Sequence, residues 1–316
     1  MPVKSPKKLI NTYTPTVFNI DDVVNWKSYL DINGYVVLND VISKEDTEIA
    51  LNLFKNEITQ VSPNFKWDDT STMINSNTPM VWSKSSVVFN GFGQSDSNWH
   101  IRLNSKTKNV FQKVYNDDDL VVSFDGFSLF LSDTQKSESW IHQDQRPSDK
   151  RLSYQGILNL FECNEHDAGF IFVPKTHKTY IPKTNNNSDW CMVPKDSILH
   201  KETLKLLTPE RSLILFNSKL VHANIGMSKN HPKGVHLNRL SCYITFVPRN
   251  RQTKEVKDER IKGYYNGIST SHWADRCEIK QIPFYLKSKY ASYNFNTIKP
   301  KLTNDNKIPN ERYVLI

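Results

Sequence analysis

The chain has 316 residues, 38% of them hydrophobic and 23% charged, the composition of a soluble globular protein large enough for one sizeable core. No apolar run approaches the roughly 20 residues of a bilayer span, so no membrane partner is expected. The formal charge of +8 is spread along the chain, and its densest basic run, Arg249 to Lys262, is broken by Glu255, Asp258 and Glu259; a solvated mixed-charge segment is expected there in preference to a nucleic-acid footprint.

Residues 1–17 carry Pro2, Pro6 and Pro15 among lysines and threonines and read as a loose leader. Its first residues, Met-Pro-Val-Lys-Ser-Pro-Lys-Lys, lack an apolar block, so no secretory signal is expected. From Ile20 to Leu30 the spacing predicts a helix with Val23, Val24, Tyr29 and Leu30 as its apolar side. Asn33-Gly34 closes it in the manner of a left-handed C-terminal residue. Tyr35-Val-Val-Leu is β-branched and short, hence a strand. Ser43 then caps a second helix, with Glu45 and Asp46 in its first turn and Ile49, Leu51, Leu53, Phe54 and Ile58 behind.

Farther on the texture is that of short strands: Leu120–Phe124, Phe127–Leu131, Tyr154–Phe161, Gly169–Val173, Ser212–Phe216 and Leu240–Val247. Short strands joined by polar turns predict a mainly β fold, a sandwich or jelly roll, not a parallel α/β sheet. The run from Thr184 through three asparagines reads as a surface loop, and residues 251–316 as helices and loops wrapping the core. Cys163, Cys191, Cys242 and Cys277 are far apart with no Cys-x-x-Cys pair, which argues against a structural zinc site and gives no disulfide framework. Reduced thiols in a cytoplasmic setting are the expectation, and the final Arg-Tyr-Val-Leu-Ile is not a peroxisomal signal.

Three segments carry chemistry: Trp140-Ile-His-Gln-Asp-Gln, Leu215-Phe-Asn-Ser-Lys-Leu-Val-His-Ala-Asn and Asn238-Arg-Leu-Ser-Cys-Tyr. Residues two apart on a strand point the same way, so His142 and Asp144 form a short platform for a metal. With His222, which follows a predicted strand, they make the two-imidazole, one-carboxylate set that holds ferrous iron on one face and leaves the other open. Arg239 and Ser241 repeat the two-residue spacing. A guanidinium fork pairs bidentately with a carboxylate and a hydroxyl adds a further bond, so this pair can hold a dicarboxylate co-substrate. Taken singly, each piece has a bland alternative: a chance His-x-Asp, or an arginine in a structural salt bridge beside a filler serine.

These blocks resemble the phytanoyl-CoA dioxygenase-like family of iron(II)/2-oxoglutarate oxygenases. The likeness begins at Asn33-Gly-Tyr-Val-Val-Leu-Asn-Asp-Val-Ile-Ser and runs through His142-Gln-Asp and Gly169-Phe-Ile-Phe-Val-Pro-Lys-Thr-His177. It reaches His222, Arg239 and Thr270-Ser-His-Trp273, covering roughly residues 18–275 in discontinuous blocks. It implies a double-stranded β-helix, a cupin-like jelly roll, with iron held by His142, Asp144 and His222. Arg239 would take the distal carboxylate of 2-oxoglutarate, with Ser241 and Asn224 beside the same ligand; Arg249 and Arg251 are the fallback arginines. The oxygenase domain would span 18–250 with its jelly-roll core at about 118–250, and 251–316 would be an extension packed on it.

The implied reaction uses Fe(II), 2-oxoglutarate and O2, with ascorbate as reductant in vitro, to hydroxylate a small-molecule substrate and release succinate and CO2. Halogenating relatives lack a carboxylate at the position of Asp144, so hydroxylation is favoured. The substrate stays open, an acyl-CoA being one option, as does the oligomeric state. Two departures stand out: Lys175-Thr176 in place of Gly-Ser, and an insertion at Lys229-Asn-His-Pro-Lys-Gly. Two rivals remain, a cupin-like zinc hydrolase, which would not need Arg239 or Ser241, and a non-catalytic basic jelly roll binding nucleic acid or carbohydrate.

The other histidines read as structural or surface residues: His177 a hydrogen-bonder, and His166, His200, His231 and His236 at the surface. Trp82, Gly91–Gln94, Trp99 and His100 form either a substrate wall or an ordinary loop with buried aromatics. His272 and Trp273 are expected to close the core edge.

Overall fold

In the strand Tyr35–Asn39, Tyr35 and Val37 face one way and Val36 and Leu38 the other, yet all four are buried. A strand buried on both faces needs cover on each. Tyr35 and Val37 join Ile157, Phe170, Phe172, Leu206, Ile214 and Phe216 in a core between two sheets. Val36 and Leu38 join Leu158, Leu213, Leu215 and Leu240 in a larger core roofed by helices through Trp26, Leu30, Phe54, Ile58 and Phe111.

The computed structural model describes residues 10–79, 85–131, 140–182, 188–228, 230–231, 237–282 and 296–316. Trp82, His236, the first nine residues, and most of the Thr184 loop and of the insertion from Lys229 lie outside the described residues. One sheet has six strands in the order Asn11–Tyr13, Leu204–Leu206, Gly169–Val173, Val221–Ile225, His142–Gln143, Cys191–Met192. A second has seven, in the order Val17–Asn19, Tyr35–Asn39, Ser212–Asn217, Tyr154–Asn159, Leu237–Ile244, Phe127–Leu131, Ser86–Val87, and Phe246–Pro248 pairs with Leu120–Val122 in a small third one. Chain neighbours are scattered between and within these sheets, most pairings are antiparallel, and the whole is the expected jelly roll.

Several elements follow their local chemistry. Ser43 caps the helix Lys44–Val61 by accepting from the Asp46 backbone N–H at 2.9 Å. Gly34 ends the helix Val23–Asn33 at φ +83°. A Cβ there would stand 2.5 Å from His177 Nδ1, so glycine is required twice over. His177 itself bonds the Asp31 carbonyl at 2.9 Å, the structural role expected of it. Lys175 takes a left-handed φ of 64°, carrying the turn where the resembling family has glycine.

Other expectations are corrected. The helix begins at Val23, and Val24 is 81% exposed, while Trp26, with 0% exposure, anchors the buried side together with Leu30. In the residues read as a leader and just past them, Asn11–Tyr13 and Val17–Asn19 are edge strands paired in parallel with Leu204–Leu206 and Val37–Asn39. Their register comes from the partner strand, not from any alternation of their own. The long strand predicted from Leu240 starts at Leu237, with a register shift between Leu237 and Arg239, and is interrupted at Thr245 before Phe246–Pro248. Trp99 is fully buried, donates to Gln94 Oε1 at 3.0 Å and packs on Phe124 and Tyr264, the buried-aromatic alternative for that stretch. All four cysteines are free thiols. Among the described residues no helix is long and apolar enough to cross a membrane.

Candidate active site

Along Val221–Ile225, the residues Val221, Ala223 and Ile225 pack in an outer cluster with Ile141, Ile171 and Val173. Strand alternation therefore turns His222 and Asn224 inward. On the facing sheet, Leu240, Cys242 and Ile244 point into the helix-covered core, which turns Arg239, Ser241 and Tyr243 to the same interior. Asn224 joins the two sheets: its Oδ1 accepts from Arg239 Nη1 and its Nδ2 donates to the Tyr243 hydroxyl, each at 2.9 Å.

His142 sits directly across the ladder from His222. Asp144 lies just past the two-residue strand His142–Gln143, its backbone N–H bonded to the Ser218 carbonyl at 3.0 Å. The strand is too short to aim both side chains by alternation alone; the Ser218 tether sets Asp144. Its carboxylate lies 3.3 Å from His142 Nε2 and 3.3 Å from His222 Nε2. One ligand atom from each of the three residues lies within 4.8 Å of the others, a grouping able to hold a metal ion.

The imidazole orientations are fixed by the backbone. His142 Nδ1 is 3.0 Å from the Trp140 carbonyl and His222 Nδ1 is 2.9 Å from the Leu220 carbonyl. A carbonyl can only accept, so each Nδ1 carries a proton and each Nε2, turned to the centre, can offer its lone pair to a cation there. Trp140 stacks on His142 at 4.6 Å, and Phe216 and Phe170 flank His222 at 4.6 and 5.5 Å. Gln155 donates to the second carboxylate oxygen of Asp144 at 3.1 Å. Burial opposes ionisation of Asp144, but positive charge at His142 and His222 outweighs it and holds the carboxyl well below the usual carboxylate range, a charge that a bound cation would supply instead. Two lone pairs and a carboxylate facing one another repel unless a cation stands among them. The donor set thus fits a divalent metal.

Arg239 is buried; its Nε donates to Ser241 Oγ at 3.0 Å and its Nη1 to Asn224, while Nη2 is buried with no partner. A buried guanidinium with a donor left over calls for an anion. Burial lowers its pKa from the ordinary arginine value. Ser241 in turn donates to Asn159 Oδ1 at 2.8 Å. The fallback arginines are committed elsewhere, Arg249 to Asp119 and Arg251 to the Leu152 carbonyl.

The centre opens into a cavity of about 1000 Å³, at the upper end for small-molecule sites. Sequence reasoning missed most of its lining. Trp190 and Met192 come from the strand Cys191–Met192 and the residue before it, and His272, Trp273, Arg276 and Lys280 from beyond residue 250. His272 and Trp273 thus border the cavity instead of merely closing the core edge. The only local signal was the Ser-His-Trp string itself. Burial brings His272 down to about 4. His166 bonds Ser228 and His200 the Pro194 carbonyl. The His231 side chain is only 7% exposed and pairs with Asp167 at 2.9 Å, a correction to its surface placement.

Fold and donor set define a jelly-roll protein with a buried His-Asp-His cluster suited to a metal ion. A structure of EctD from S. alaskensis with bound Fe superposes with a TM-score of 0.50 over 73% of this chain and 78% of that one, at 13% identity. The epimerase SnoN, in complex with Fe3+, alpha ketoglutarate and nogalamycin RO, aligns at a TM-score of 0.49 and 12% identity over 72% and 84% of the two chains. Among curated proteins, Ava biosynthesis cluster protein O of Aspergillus versicolor is 24% identical over 159 residues. That match spans about half of each chain, 49% of this one and 51% of the relative. No protein-family model matches.

Proposed function

We propose that the chain is an Fe(II)- and 2-oxoglutarate-dependent oxygenase that hydroxylates a small organic molecule, within the phytanoyl-CoA dioxygenase-like group its motifs resemble. The observation that carries this reading is a conjunction: a His-Asp-His donor set with both Nε2 lone pairs directed at one point, and a buried arginine with a donor to spare on the facing sheet. A zinc hydrolase would have use for the first but not the second. His142, Asp144 and His222 would hold the metal, and Arg239, with Ser241 and Asn224, the far carboxylate of 2-oxoglutarate. When bound with O2, these groups supply an oxidation in which 2-oxoglutarate becomes succinate and CO2 while a substrate C–H becomes C–OH.

The chain's own part is orientation and exclusion of water. Trp140, Phe170 and Phe216 wall the imidazoles and keep the centre dry. The Trp140 and Leu220 carbonyls fix the imidazole tautomers, and Gln155 restrains the carboxylate of Asp144. Asn224 keeps Arg239 aimed by bonding both it and Tyr243. The test is to incubate the purified protein with ferrous iron, ascorbate and labelled 2-oxoglutarate, with and without a metabolite extract. Iron-dependent release of labelled CO2 and succinate is expected. Metal-dependent hydrolysis with no consumption of 2-oxoglutarate would overturn the reading.

A further inference from the structure

The charge pattern of the cavity narrows what can enter it. Its lining cations among the described residues are Arg146, Arg276 and Lys280, and each has a carboxylate to answer it. Arg276 donates to Asp189 at 2.5 Å and to Glu278 at 3.1 Å, with Asp149 at 3.5 Å. Arg146 Nε lies 3.6 Å from the same Asp189. Lys280 acts on the buried carboxyl of Asp125, which burial raises and the ammonium draws back. A phosphate or pyrophosphate entering here would have to compete with these carboxylates for each of these cations, so the described lining offers it no surplus of positive charge.

Aromatic surface is what the cavity offers instead. Trp140, Trp190 and Trp273 all line it, and Trp190 remains 49% exposed beside the exposed Met192, large apolar groups that a carbon-rich ligand would cover. One polar atom is left over. His272 Nε2 is buried and has no hydrogen-bond partner, although its ring lines the same cavity. A buried imidazole nitrogen without a partner costs stability unless a ligand completes it. With Nε2 unpartnered on a ring that lines the cavity, the side chain is placed to act as a hydrogen-bonding group toward what enters.

We propose that the cavity takes an uncharged, ring-containing substrate and that His272 holds one hydroxyl or carbonyl oxygen of it through Nε2. This names the substrate class for the oxygenase reading above and rests on it. The indoles of Trp140 and Trp190 supply the contact area, His272 sets which way round the ring lies, and the Arg276–Asp189–Glu278 ion pairs discriminate against phosphorylated molecules.

Calorimetry on the full chain tests it, under nitrogen, first with ferrous iron and 2-oxoglutarate added and then without. The probes are 2-naphthol, 2-naphthyl phosphate and coenzyme A. The expected result is that 2-naphthol binds at least about 10-fold more tightly than either anionic probe, because bringing a phosphate in without a free cation carries a desolvation penalty. His272→Phe, which keeps the ring volume, is expected to weaken 2-naphthol about 3- to 10-fold, the size of one neutral hydrogen bond. His272→Gln, which returns a polar group near Nε2, should restore it. No binding of 2-naphthol, equal or tighter binding of an anionic probe, or an unchanged affinity in His272→Phe would each overturn the proposal. Iron titrated into the chain without added metal separates the two readings: absent iron binding sinks the oxygenase reading and this inference with it, whereas normal iron binding with failed naphthol selectivity sinks only this inference.

Discussion

Two buried histidine–carboxylate groups sit at opposite roles in this molecule. At the cavity, His142, Asp144 and His222 turn three ligand atoms to a common point, each imidazole directing its Nε2 at the Asp144 carboxylate because Nδ1 is tied to a backbone carbonyl. At the corner formed by residues 162–167 with His231, Leu237 and Asn238, His231 Nε2 is already spent on Asp167 Oδ1 at 2.9 Å and faces Asn238 Nδ2 at 2.6 Å. Asp167 is equally committed, accepting from Asn238 Nδ2 and, through Oδ2, from the Asn164 N–H. The residue types are the same in both places. What differs is arrangement: at the cavity three ligand atoms converge on one point, with a buried arginine on the facing sheet whose Nη2 has no partner, whereas the His231 corner is closed by its own hydrogen bonds. That difference marks chemistry where residue type alone does not.

If that distinction is right, substitutions in the two groups should separate function from stability. His142→Ala or His222→Ala is expected to lower iron-dependent 2-oxoglutarate turnover at least about 100-fold, since loss of mere outer contacts to a ligand already costs about 10–100-fold. Thermal melting should show the fold retained. Arg239→Ala should weaken 2-oxoglutarate about 10- to 100-fold, as removal of a charged hydrogen bond does, while iron titrated in calorimetry still binds. Iron lost together with 2-oxoglutarate in that variant would remove the division of labour between the sheets.

His231→Ala should do the reverse. Leaving Asp167 and Asn238 without their partner is expected to destabilise the fold by about 1–3 kcal/mol in urea unfolding, with iron affinity unchanged. The smallest effect concerns Glu57, buried under the helix Asp96–Arg102 and bonded by the Ser97 N–H at 3.0 Å and the Ser97 hydroxyl. Burial raises its carboxyl from 4.5 to about 7. The folded chain thus keeps this proton up to about pH 7, whereas the unfolded chain releases it near 4.5. Between those values the folded state binds more protons, so stability falls as pH rises. Glu57→Gln should remove that part of the pH dependence, gaining stability at pH 8 relative to the parent and little at pH 4.5, as read from urea midpoints.

The same contrast explains what could be read from the sequence. The strands Phe127–Leu131, Gly169–Val173 and Ser212–Asn217 show as β-branched and aromatic runs because their burial is written locally. His142 and Asp144 were legible because a two-residue spacing is a local statement, and Arg239 and Ser241 for the same reason. The pairing of His231 with Asp167 bridges 64 residues, and nothing in either segment announces the other. Trp190, Arg276 and His272 reach the cavity only because separate connections converge at its mouth. The edge strands Asn11–Tyr13 and Val17–Asn19 were invisible because three mostly exposed residues with no apolar alternation are strands only by virtue of the neighbour they pair with.

The most direct test is anomalous diffraction at the iron edge from crystals soaked anaerobically in ferrous salt. A single strong peak within bonding distance of His142 Nε2, His222 Nε2 and an Asp144 oxygen is the predicted result. A peak at His231 and Asp167, or none at the 142, 144 and 222 side chains, would contradict the account.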